Sequence, residues 1–467
     1  MTAEEFYRSI QGKTVAFCGL GGSNLPLVKL FAQRGARVTA RDRRSEEQLG
    51  AAADELKSLG VRLVTGDGYL ENLDEEIIFR TPGMKYYLPQ LTAARERGAA
   101  VTSEMEVFFD LCPCRIIAVT GSDGKTTTTT ILSKILEKAG RRVHVGGNIG
   151  TPLLPRLGEI APGDVVVAEL SSFQLISMRK SPDVAVVTNI SPNHLDIQKD
   201  MREYIDAKKN IILHQNAFGR AVLNADNDIT ASFAPDVRGR CLMFSRRRPV
   251  KYGAWMDGEG EIFLSLPEKT VRIMNASDIR IPGLHNIENY LAAAAAVWGF
   301  AGADDIAAVA RTFPGVEHRN EFVREVDGVS YYNDSIGTTP SRTINGALSL
   351  FDRKILLIAG GYDKNIPFDP LGPAIVSRVK VLVLIGQTAG KIEAAVRAAA
   401  GYRDGNPVIL HAASLEEAVE LCRGNAEKGD VVSLSPACAS FGMFPNFETR
   451  GERFREIVNG LEQSTKS

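Results

Sequence analysis

The sequence predicts an α/β protein of three domains built on parallel sheets. Short β-branched runs recur along it, and each ends in Gly, Ser, Thr or Asn: TVAFCGLGG, IIAVTGSDGK, DVVVAELSS, DVAVVTNIS, ILLIAGGYD, VLVLIGQT and DVVSLSPA. Segments with helical spacing, such as LVKLFAQRGA and TILSKILEKAG, lie between most of these runs. Strands that alternate with helices form βαβ units, and 467 residues are enough for about three domains of ordinary size.

The β-branched runs fall into three groups, which set the expected domain boundaries. A proline in CPC (112–114) and another in FPGVEHR (313–319) disfavour a continuing helix at each junction. We therefore expect domains at 1–111, 112–313 and 314–467. In open parallel sheets ligands bind beyond the carboxyl ends of the strands, where the Gly- and Ser-rich turns of this chain would lie.

Composition and charge exclude several classes of protein. Lys and Arg number 55 against 56 acidic residues, so no general field attracts nucleic acid or an anionic membrane. The six cysteines are scattered, and the one C-x-C pair fits no common zinc spacing. The first residues lack an apolar core of signal-peptide length, and the longest apolar run, from Leu291, is too short to span a membrane. We expect a cytoplasmic protein with reduced thiols, acting as a monomer.

A phosphate-binding loop is predicted where the run IIAVT ends. The loop lacks the first glycine of G-x-x-x-x-G-K-[ST], since Val119 stands there, but a Gly turn, Lys125 and a helix N-terminus still form a cradle for phosphate. Thr126 is placed to bind the magnesium of a nucleotide, and the absence of N-K-x-D favours ATP over GTP. The alternative is an ordinary Gly turn that caps a helix. The predicted ATP-binding residues of the loop are Gly121, Ser122, Asp123, Gly124, Lys125, Thr126 and Thr127.

The first domain has a glycine-rich turn of its own, GLGGSN at 19–24. The third glycine of G-x-G-x-x-G is replaced by Asn24, which weakens a dinucleotide interpretation. Asp42, after the second strand, is placed to bind a ribose hydroxyl. A nucleotide-linked substrate fits this pattern as well as NAD does, so a dehydrogenase stays open as an alternative.

A longer series of strings covers most of the chain. In order they are GSDGKTT, GGNIGTP, ELSSFQL, TNISPNHLD, GLHNIENYLAA, EHRNE, YYNDS and LSPACASFGMFPNFETRG. Taken together, these strings resemble those of the Mur ligase family. The resemblance implies a Rossmann-like N-terminal domain for a UDP-sugar, a central P-loop ATPase domain, and a Rossmann-like C-terminal domain for an amino acid. It also implies that ATP activates a carboxylate as an acyl phosphate and that an amine then displaces phosphate. Within the family, ELSSFQL and the C-terminal string favour UDP-N-acetylmuramoyl-L-alanine and D-glutamate as the substrates, in the synthesis of a peptidoglycan precursor.

Roles for individual residues follow from the same resemblance. It implies that Lys125, His194 and Lys208 are catalytic, and that ATP and magnesium at two sites are the cofactors. The implied metal ligands are Thr126, Glu169, His194 and Lys208, the last as a carbamate. Further ATP contacts are implied for Asn289, Arg319 and Asp334. The implied substrate contacts are Leu20, Gly21, Gly22, Ser23, Asp42, Arg43, Thr81, Pro82, Gly83, Asn148 and Gln174 for the UDP-sugar, and Thr338, Lys364, Ser440 and Phe447 for the amino acid.

Each of these roles competes with a plainer interpretation. Lys208 lies four residues after Tyr204 on one helical face, and its plainer interpretation is a surface lysine. Lys209 is the alternative candidate for the family's lysine if the match is shifted by one residue. Carbamylation requires a neutral amine, which a desolvated site near other cations favours. His194 is otherwise part of an Asn/Pro/Asp turn.

Two positions depart from the family pattern. Ile336 stands where many relatives have the lysine of D-S-K-A-T, so either Lys364 supplies that cation or the acceptor pocket differs. Asp123 replaces a common asparagine and adds negative charge near the phosphates. Besides the dehydrogenase, the sequence leaves open a Mur-type ligase for another amino acid and a P-loop nucleotide switch.

Overall fold

The computed structural model describes residues 1–191, 200–364 and 366–462, which form two compact units. The first unit contains Met1–Asp278 and His285–Arg311; the second contains Ile279–Leu284 and the chain from Thr312 onward. Mainly parallel sheets with intervening helices make up both units, which confirms the predicted α/β class. Over the described residues, no helix is both long enough and apolar enough to span a membrane.

A five-stranded parallel sheet opens the first unit. Its strands are β1 (Thr14–Cys18), β2 (Arg37–Asp42), β3 (Arg62–Thr65), β4 (Ile77–Arg80) and β5 (Ala100–Thr102). Its helices are α1 (Ala3–Ser9), α2 (Leu25–Gln33), α3 (Glu46–Leu49), α4 (Ala51–Ser58), α5 (Pro89–Glu96) and α6 (Glu104–Leu111). In the order β3-β2-β1-β4-β5 the winding reverses at β1, which creates a crevice beyond the carboxyl ends of β1 and β4.

The second sheet of this unit has nine strands. They are β6 (Arg115–Thr120), β7 (Val143–Gly147), β8 (Val165–Glu169), β9 (Val184–Val187), β10 (Arg220–Asn224), β11 (Arg240–Ser245), β12 (Gly253–Met256), β13 (Glu261–Ser265) and β14 (Thr270–Asn275). The helices that follow in this part of the chain are α7 (Lys125–Lys138), α8 (Ser172–Leu175), α9 (Met201–Leu213), α10 (Asp228–Ala231), α11 (Leu284–Val297) and α12 (Ala303–Thr312), with 3-10 turns at Leu154–Glu159, Ala234–Asp236 and Ala276–Asp278.

Strand order in this sheet is β14-β13-β12-β11-β10-β9-β6-β8-β7. The strands from β7 to β12 run parallel, and β13 and β14 add an antiparallel edge. Between β8 and β9, the central strand β6 is buried from its second residue onward, as a run of apolar residues in a parallel sheet requires. The loops after β6, β8 and β9 therefore meet at one edge of the sheet.

One hydrophobic core is shared by these first two sheets. It contains Phe31 of α2 together with Leu154 of the 3-10 turn, both fully buried. The Tyr7 hydroxyl donates a hydrogen bond to the Leu154 carbonyl at 3.4 Å. The carboxylate of Glu104, at the start of α6, accepts the Leu154 amide at 2.8 Å. The two sheets are thus held together by buried apolar and polar contacts within one unit.

The second unit contains a six-stranded sheet. Its strands are β15 (Glu321–Val326), β16 (Val329–Asn333), β17 (Ile355–Gly360), β18 (Val379–Ile385), β19 (Val408–Ala412) and β20 (Val431–Leu434). Its helices are α13 (Pro340–Asn345), α14 (Ala347–Leu350), α15 (Leu371–Arg378), α16 (Ala389–Ala398), α17 (Leu415–Asn425) and α18 (Phe447–Asn459). In the order β15-β16-β20-β17-β18-β19, only the β15–β16 pair is antiparallel. Because β16, β20 and β17 are neighbours, the loops at their carboxyl ends converge.

Candidate active site

The loop between β6 and α7 has the backbone of a phosphate cradle. Gly121 and Gly124 have φ values of +151° and +78°, in the region that favours glycine. A Cβ atom on Gly121 would lie 1.9 Å from Thr188 Oγ1, and one on Gly124 would lie 2.4 Å from Asn289 Oδ1. Both glycines are therefore required for the loop to lie this close to its neighbours. The amides at the start of α7 follow directly, with the partial positive charge of a helix N-terminus.

Two ammonium groups converge on this loop. Lys125 Nζ donates to the Gly121 carbonyl at 3.1 Å and to the Ser122 carbonyl at 2.9 Å. Lys208 Nζ donates to the same Gly121 carbonyl at 2.7 Å and lies 4.6 Å from the centre of the Tyr204 ring. Two lysine side chains therefore meet at one carbonyl of the loop, and Lys125 supplies a cation there for an anionic ligand.

Lys208 reaches the loop from α9, where it is 2% exposed. The helix begins after Asp200, whose carboxylate caps it by accepting the Glu203 amide at 2.9 Å. Burial lowers the pKa of Lys208 well below its ordinary value, and the charge of Lys125 lowers it further. Lys209 faces elsewhere and pairs with Asp236 at 2.6 Å. A surface position is excluded for Lys208, and Lys209 does not reach the loop.

Oxygen ligands lie beside the cradle at the end of β8. Thr126 Oγ1 donates to one carboxylate oxygen of Glu169 at 2.7 Å, and Asn148 Nδ2 donates to the other at 2.7 Å. Glu169 is 1% exposed, so this carboxylate is fixed between the two side chains. A hydroxyl and a carboxylate oxygen are the ligands that magnesium prefers. The donor set therefore fits a magnesium ion bound with nucleotide phosphates.

The other predicted residues of the loop have local partners. The Ser122 hydroxyl is 2.9 Å from the Tyr204 hydroxyl, and the Asp123 amide donates to Asn189 Oδ1 at 3.0 Å. Asp123 is exposed and Thr127 half-buried. Asn289 is buried on α11, where its Oδ1 accepts the Thr128 hydroxyl at 3.1 Å. This contact fixes Asn289 against α7, and its amide is therefore already engaged within the protein.

Asp42 lies at the carboxyl end of β2, where its side chain contacts the loop after β1. Its carboxylate accepts the Leu20 amide at 2.6 Å and both the amide and Nε of Arg44 at 2.9 Å. Arg44 also donates to the Leu20 carbonyl at 2.9 Å. Burial raises the pKa of Asp42, but the hydrogen bonds from Arg44 and Leu20 outweigh this effect and leave the pKa below its ordinary value. The crevice thus contains an ionised carboxylate that is held in one orientation.

Glycines leave open space on the loops after β1 and β4. A Cβ atom on Gly21, Gly22 or Gly83 would meet nothing within 4 Å. Gly19 is different, since its φ is +87° and a Cβ there would lie 2.8 Å from Thr81 Cγ2. Gly19 is therefore needed for packing between the loops after β1 and β4, while the other three glycines leave room for a ligand.

The remaining residues predicted for the UDP-sugar differ in accessibility. Arg43 is exposed and pairs with Asp67 at 3.2 Å. Gln174 is buried, and its side-chain oxygen accepts the Ser171 amide at 2.9 Å as part of a helix cap. Ser23 and Pro82 are half-buried, and Leu20 is buried.

In the second unit, Asp334 directly follows β16 and is 3% exposed. Its carboxylate accepts the Ser435 hydroxyl at 2.6 Å and the Asn320 amide at 3.3 Å. Burial raises the pKa of Asp334 to about 7, against the opposing effects of Ser435 and Arg319. Among the described residues, Arg319 Nε is buried and has no hydrogen-bond partner. The segment before β15 therefore places an arginine near an acid at the end of β16 whose pKa is close to neutral pH.

The residues predicted for the amino acid lie on loops of the same unit. Ser440 is buried, and its carbonyl accepts the Phe444 amide at 2.9 Å. Phe447 begins α18 and makes an edge contact with the His318 ring, at 6.2 Å between centroids. Thr338 is half-buried, and Lys364 is exposed.

His194 lies outside the described residues. Among those that are described, no group of three or more His, Cys, Asp or Glu side chains is arranged to hold a metal ion. Of the predicted magnesium ligands, Thr126 and Glu169 are the pair whose side chains are in direct contact in the described structure.

Comparison with known proteins identifies the family. Residues 119–297 match the Mur ligase middle domain, and residues 318–438 match the Mur ligase, glutamate ligase domain. The chain belongs to the Mur ligase family. It is 52% identical over 461 residues to the UDP-N-acetylmuramoylalanine–D-glutamate ligase of Acetivibrio thermocellus, covering 98% of both chains. It is 48% identical over 461 residues to the enzyme of the same name from Clostridium novyi, covering 98% of this chain and 99% of the other.

Solved Mur ligases share the fold at low identity. MurF from Acinetobacter baumannii has a TM-score of 0.57 and 17% identity, covering 97% of this chain and 98% of its own. UDP-N-acetylmuramate-alanine ligase MurC from Thermotoga maritima has a TM-score of 0.55 and 17% identity, covering 96% of this chain and 99% of its own. The predicted fold class, including its similarity to Mur ligases, is thus confirmed.

Two arginines of this Mur ligase that hold loops in place, the exposed Arg44 and the buried Arg450, were not predicted from sequence. Arg44 orients Asp42, and its signal was the RDRR string, which places an arginine two residues after the acid. Arg450 is 1% exposed and donates to the carbonyls of Ser335 at 2.9 Å and Cys438 at 3.2 Å. It joins the loops after β16 and β20, and burial lowers its pKa to about 10. Its partners are far away in sequence, so no local pattern could have indicated its role.

Proposed function

We propose that this Mur ligase joins D-glutamate to UDP-N-acetylmuramoyl-L-alanine at the expense of ATP. The observation that carries the proposal is the cradle after β6, where Lys125 and Lys208 converge on one carbonyl beside the Thr126–Glu169 pair. The choice of D-glutamate rests on relatives of that name, which are about half identical to this chain over almost its full length.

The reaction balances in two steps. An oxygen of the alanyl carboxylate attacks the γ-phosphorus of ATP, and ADP leaves, which gives an acyl phosphate. The amine of D-glutamate then attacks the acyl carbon, loses a proton and displaces inorganic phosphate. Lys125 and the N-terminus of α7 would hold the phosphates where negative charge accumulates. Magnesium held by Thr126 and Glu169 would supply further positive charge there.

Lys208 is proposed to carry a carbamate. Its burial and its lowered pKa favour the neutral amine that reacts with carbon dioxide, and the product would turn a buried cation into an oxygen ligand. Lys208→Ala is expected to keep its fold and lose activity, and short carboxylic acids such as acetate or formate are expected to restore part of it. A folded variant that no such acid rescues would argue against the carbamate, and near-normal activity without any acid would exclude it.

The remaining assignments are proposals of the same kind. A second magnesium site is proposed at Lys208 and His194. The domains are proposed to be 1–111, 112–313 and 314–467, in a cytoplasmic monomer. Nucleotide contacts are proposed for residues 121–127, Asn289, Arg319 and Asp334. Substrate contacts are proposed for residues 20–23, Asp42, Arg43, residues 81–83, Asn148 and Gln174 with the UDP-sugar, and for Thr338, Lys364, Ser440 and Phe447 with D-glutamate.

Phosphate release from ATP tests the function. The protein is incubated with magnesium and UDP-N-acetylmuramoyl-L-alanine, and D-glutamate, L-glutamate, L-lysine and meso-diaminopimelate are compared as acceptors. Release with D-glutamate alone supports the proposal; release with another amine keeps the ligase but changes the acceptor. Absence of release with every amine would reject the ligase for this donor.

A pair of lysine variants tests the role of the cradle. Lys125→Met is expected to abolish phosphate release because it removes the cation of the loop. Lys134→Met is the matched control, since Lys134 lies on the same helix but is exposed and pairs with Glu137 at 2.9 Å. Equal activity of the two variants would contradict the role given to Lys125.

A further inference from the structure

Arg342 lies beside the loop in which this chain lacks a lysine. It belongs to α13, and its Nη1 donates to the carbonyl of Ile336 at 3.2 Å. The sequence resemblance leads us to expect the lysine of D-S-K-A-T at the position of Ile336. A guanidinium group from six residues further along the chain therefore lies at the backbone of the residue where that cation is expected.

The same loop is bonded to the segment that carries Arg319. The Ile336 amide donates to the His318 carbonyl at 3.1 Å, so the peptide of Ile336 connects the two arginine-bearing segments. Asp334, two residues earlier, faces both guanidinium groups, and each of them lowers its pKa. The Asp334 carboxylate is thus near two arginines, and it already accepts hydrogen bonds from the Ser435 hydroxyl and the Asn320 amide.

The two arginines beside this loop repel each other. Partial desolvation of its guanidinium group is the main factor that lowers the pKa of Arg342, and the positive charge of Arg319 lowers it further, while Asp334 opposes both effects. Arg319 Nε also has no hydrogen-bond partner among the described residues. Two planar guanidinium groups with spare donors are the usual recognition elements for a phosphate or a carboxylate.

We propose that Arg342 is an oxyanion-binding residue that replaces the missing lysine of the D-S-K-A-T loop. The ligand would be a phosphate group of the nucleotide or a carboxylate of the amino acid, and both have the chemistry that a guanidinium recognises. The proposal rests on the ligase function given above and adds one residue to its binding site. Arg342 and Arg319 would bind the anion between them, with Asp334 orienting the loop.

A purely structural role for Arg342 predicts a different result. The side chain is largely exposed, and its hydrogen bond to Ile336 is made to a neutral carbonyl. Loss of such a bond costs about 0.5–1.5 kcal/mol of stability. Arg378 is the matched control, because it is an exposed helix residue of the same unit that donates to the Phe351 carbonyl at 3.4 Å. If both arginines only stabilise loops, both substitutions should leave steady-state kinetics unchanged.

The test measures phosphate release with the full-length protein. Arg342→Gln is expected to raise one KM, for ATP or for D-glutamate, by about tenfold or more, while Arg378→Gln leaves both within about twofold. A rise in the KM for ATP identifies the phosphate as the ligand, and a rise in that for D-glutamate identifies the carboxylate. Arg342→Lys should keep more activity than Arg342→Gln. Adding Ile336→Lys to Arg342→Gln should restore activity, because it returns a cation to the same loop.

The proposal would be overturned if Arg342→Gln, folded by circular dichroism, kept both KM values and kcat within about twofold of the parent. It would also be overturned if Ile336→Lys gave no rescue and Arg342→Lys behaved as Arg342→Gln does. Failure of the proposed function is seen separately, in the parent protein. If another amine supports release, the comparison is made with that amine. If none does, calorimetric titration with ATP, with inorganic phosphate and with D-glutamate is used, and equal affinities of the parent and Arg342→Gln for all three reject the proposal.

Discussion

Replacement of Glu104 tests how the first two sheets are held together. This residue is 4% exposed at the start of α6, and one oxygen of its carboxylate accepts the amides of Leu153 at 2.9 Å and Leu154 at 2.8 Å. Both leucines are fully buried. Glu104→Ala would leave two buried amides without an acceptor, at about 1–3 kcal/mol each. We therefore expect a loss of about 2–6 kcal/mol in the free energy of unfolding.

Glu104→Gln separates the hydrogen bonds from the charge. Its side-chain oxygen can accept the same two amides, so we expect a loss within about 1 kcal/mol of the parent. Burial raises the pKa of Glu104, so the folded protein binds the proton more tightly than the unfolded chain does. This contribution to stability is therefore present at low pH and decreases as pH rises above the unfolded pKa of about 4.3. Glu104→Gln should remove that part of the pH dependence.

Urea unfolding of the three proteins at pH 5 and pH 8 measures these effects, and hydrogen exchange of the 153–160 segment localises them. At pH 8 we expect the free energy of unfolding of Glu104→Gln to be close to that of the parent, and that of Glu104→Ala to be well below both. Equal losses for the two variants would show that the acceptor oxygen is unimportant. A loss below about 1 kcal/mol for Glu104→Ala would refute the reasoning.

Three more predictions concern the phosphate loop and the loops of the second unit. Gly124→Ala should weaken ATP binding measured by calorimetry by about tenfold or more, because its Cβ would lie 2.4 Å from Asn289 Oδ1, whereas Gly158→Ala, in open space, should not. Arg450→Met should lower the stability of the second unit by about 1–3 kcal/mol, measured by thermal unfolding, since the Ser335 and Cys438 carbonyls lose their donor. Asp334, with its pKa raised to about 7 by burial, makes stability fall as pH rises from about 4 to 7, and Asp334→Asn should abolish that slope in urea titrations at several pH values. An unchanged slope would show that Asp334 does not titrate in this range.

Much of the fold follows from local sequence. The run IIAVT followed by GSDGKT corresponds to β6, the glycine turn and the start of α7, because β-branched residues, glycines and a helix start each have a local signature. The α/β class and the Mur ligase family are confirmed. The antiparallel strands β13 and β14 were not predicted, since EIFLS and TVRIMN contain charged residues and are not separated by a helical segment as the predicted strands are.

The parts of the site that sequence could not predict depend on contacts between distant residues. The donors of Arg450 reach Ser335, which is 115 residues earlier, and burial of Lys208 depends on the loop after β6. Amphipathic spacing on α9 was compatible with a surface lysine as well as with a buried one. Only the packing of α9 against the sheet distinguishes Lys208 from Lys209.

The core shared by the first two sheets has a consequence for biosynthesis. A chain emerging from the ribosome exposes apolar residues that pack on the first sheet, including Phe31 of α2, until the turn at Leu154–Glu159 has been made. A nascent chain that ends at residue 111 therefore lacks part of its own core. At about 5–20 residues per second, the delay before that face can be covered is a few seconds. During this interval the incomplete sheet is a natural client for chaperones.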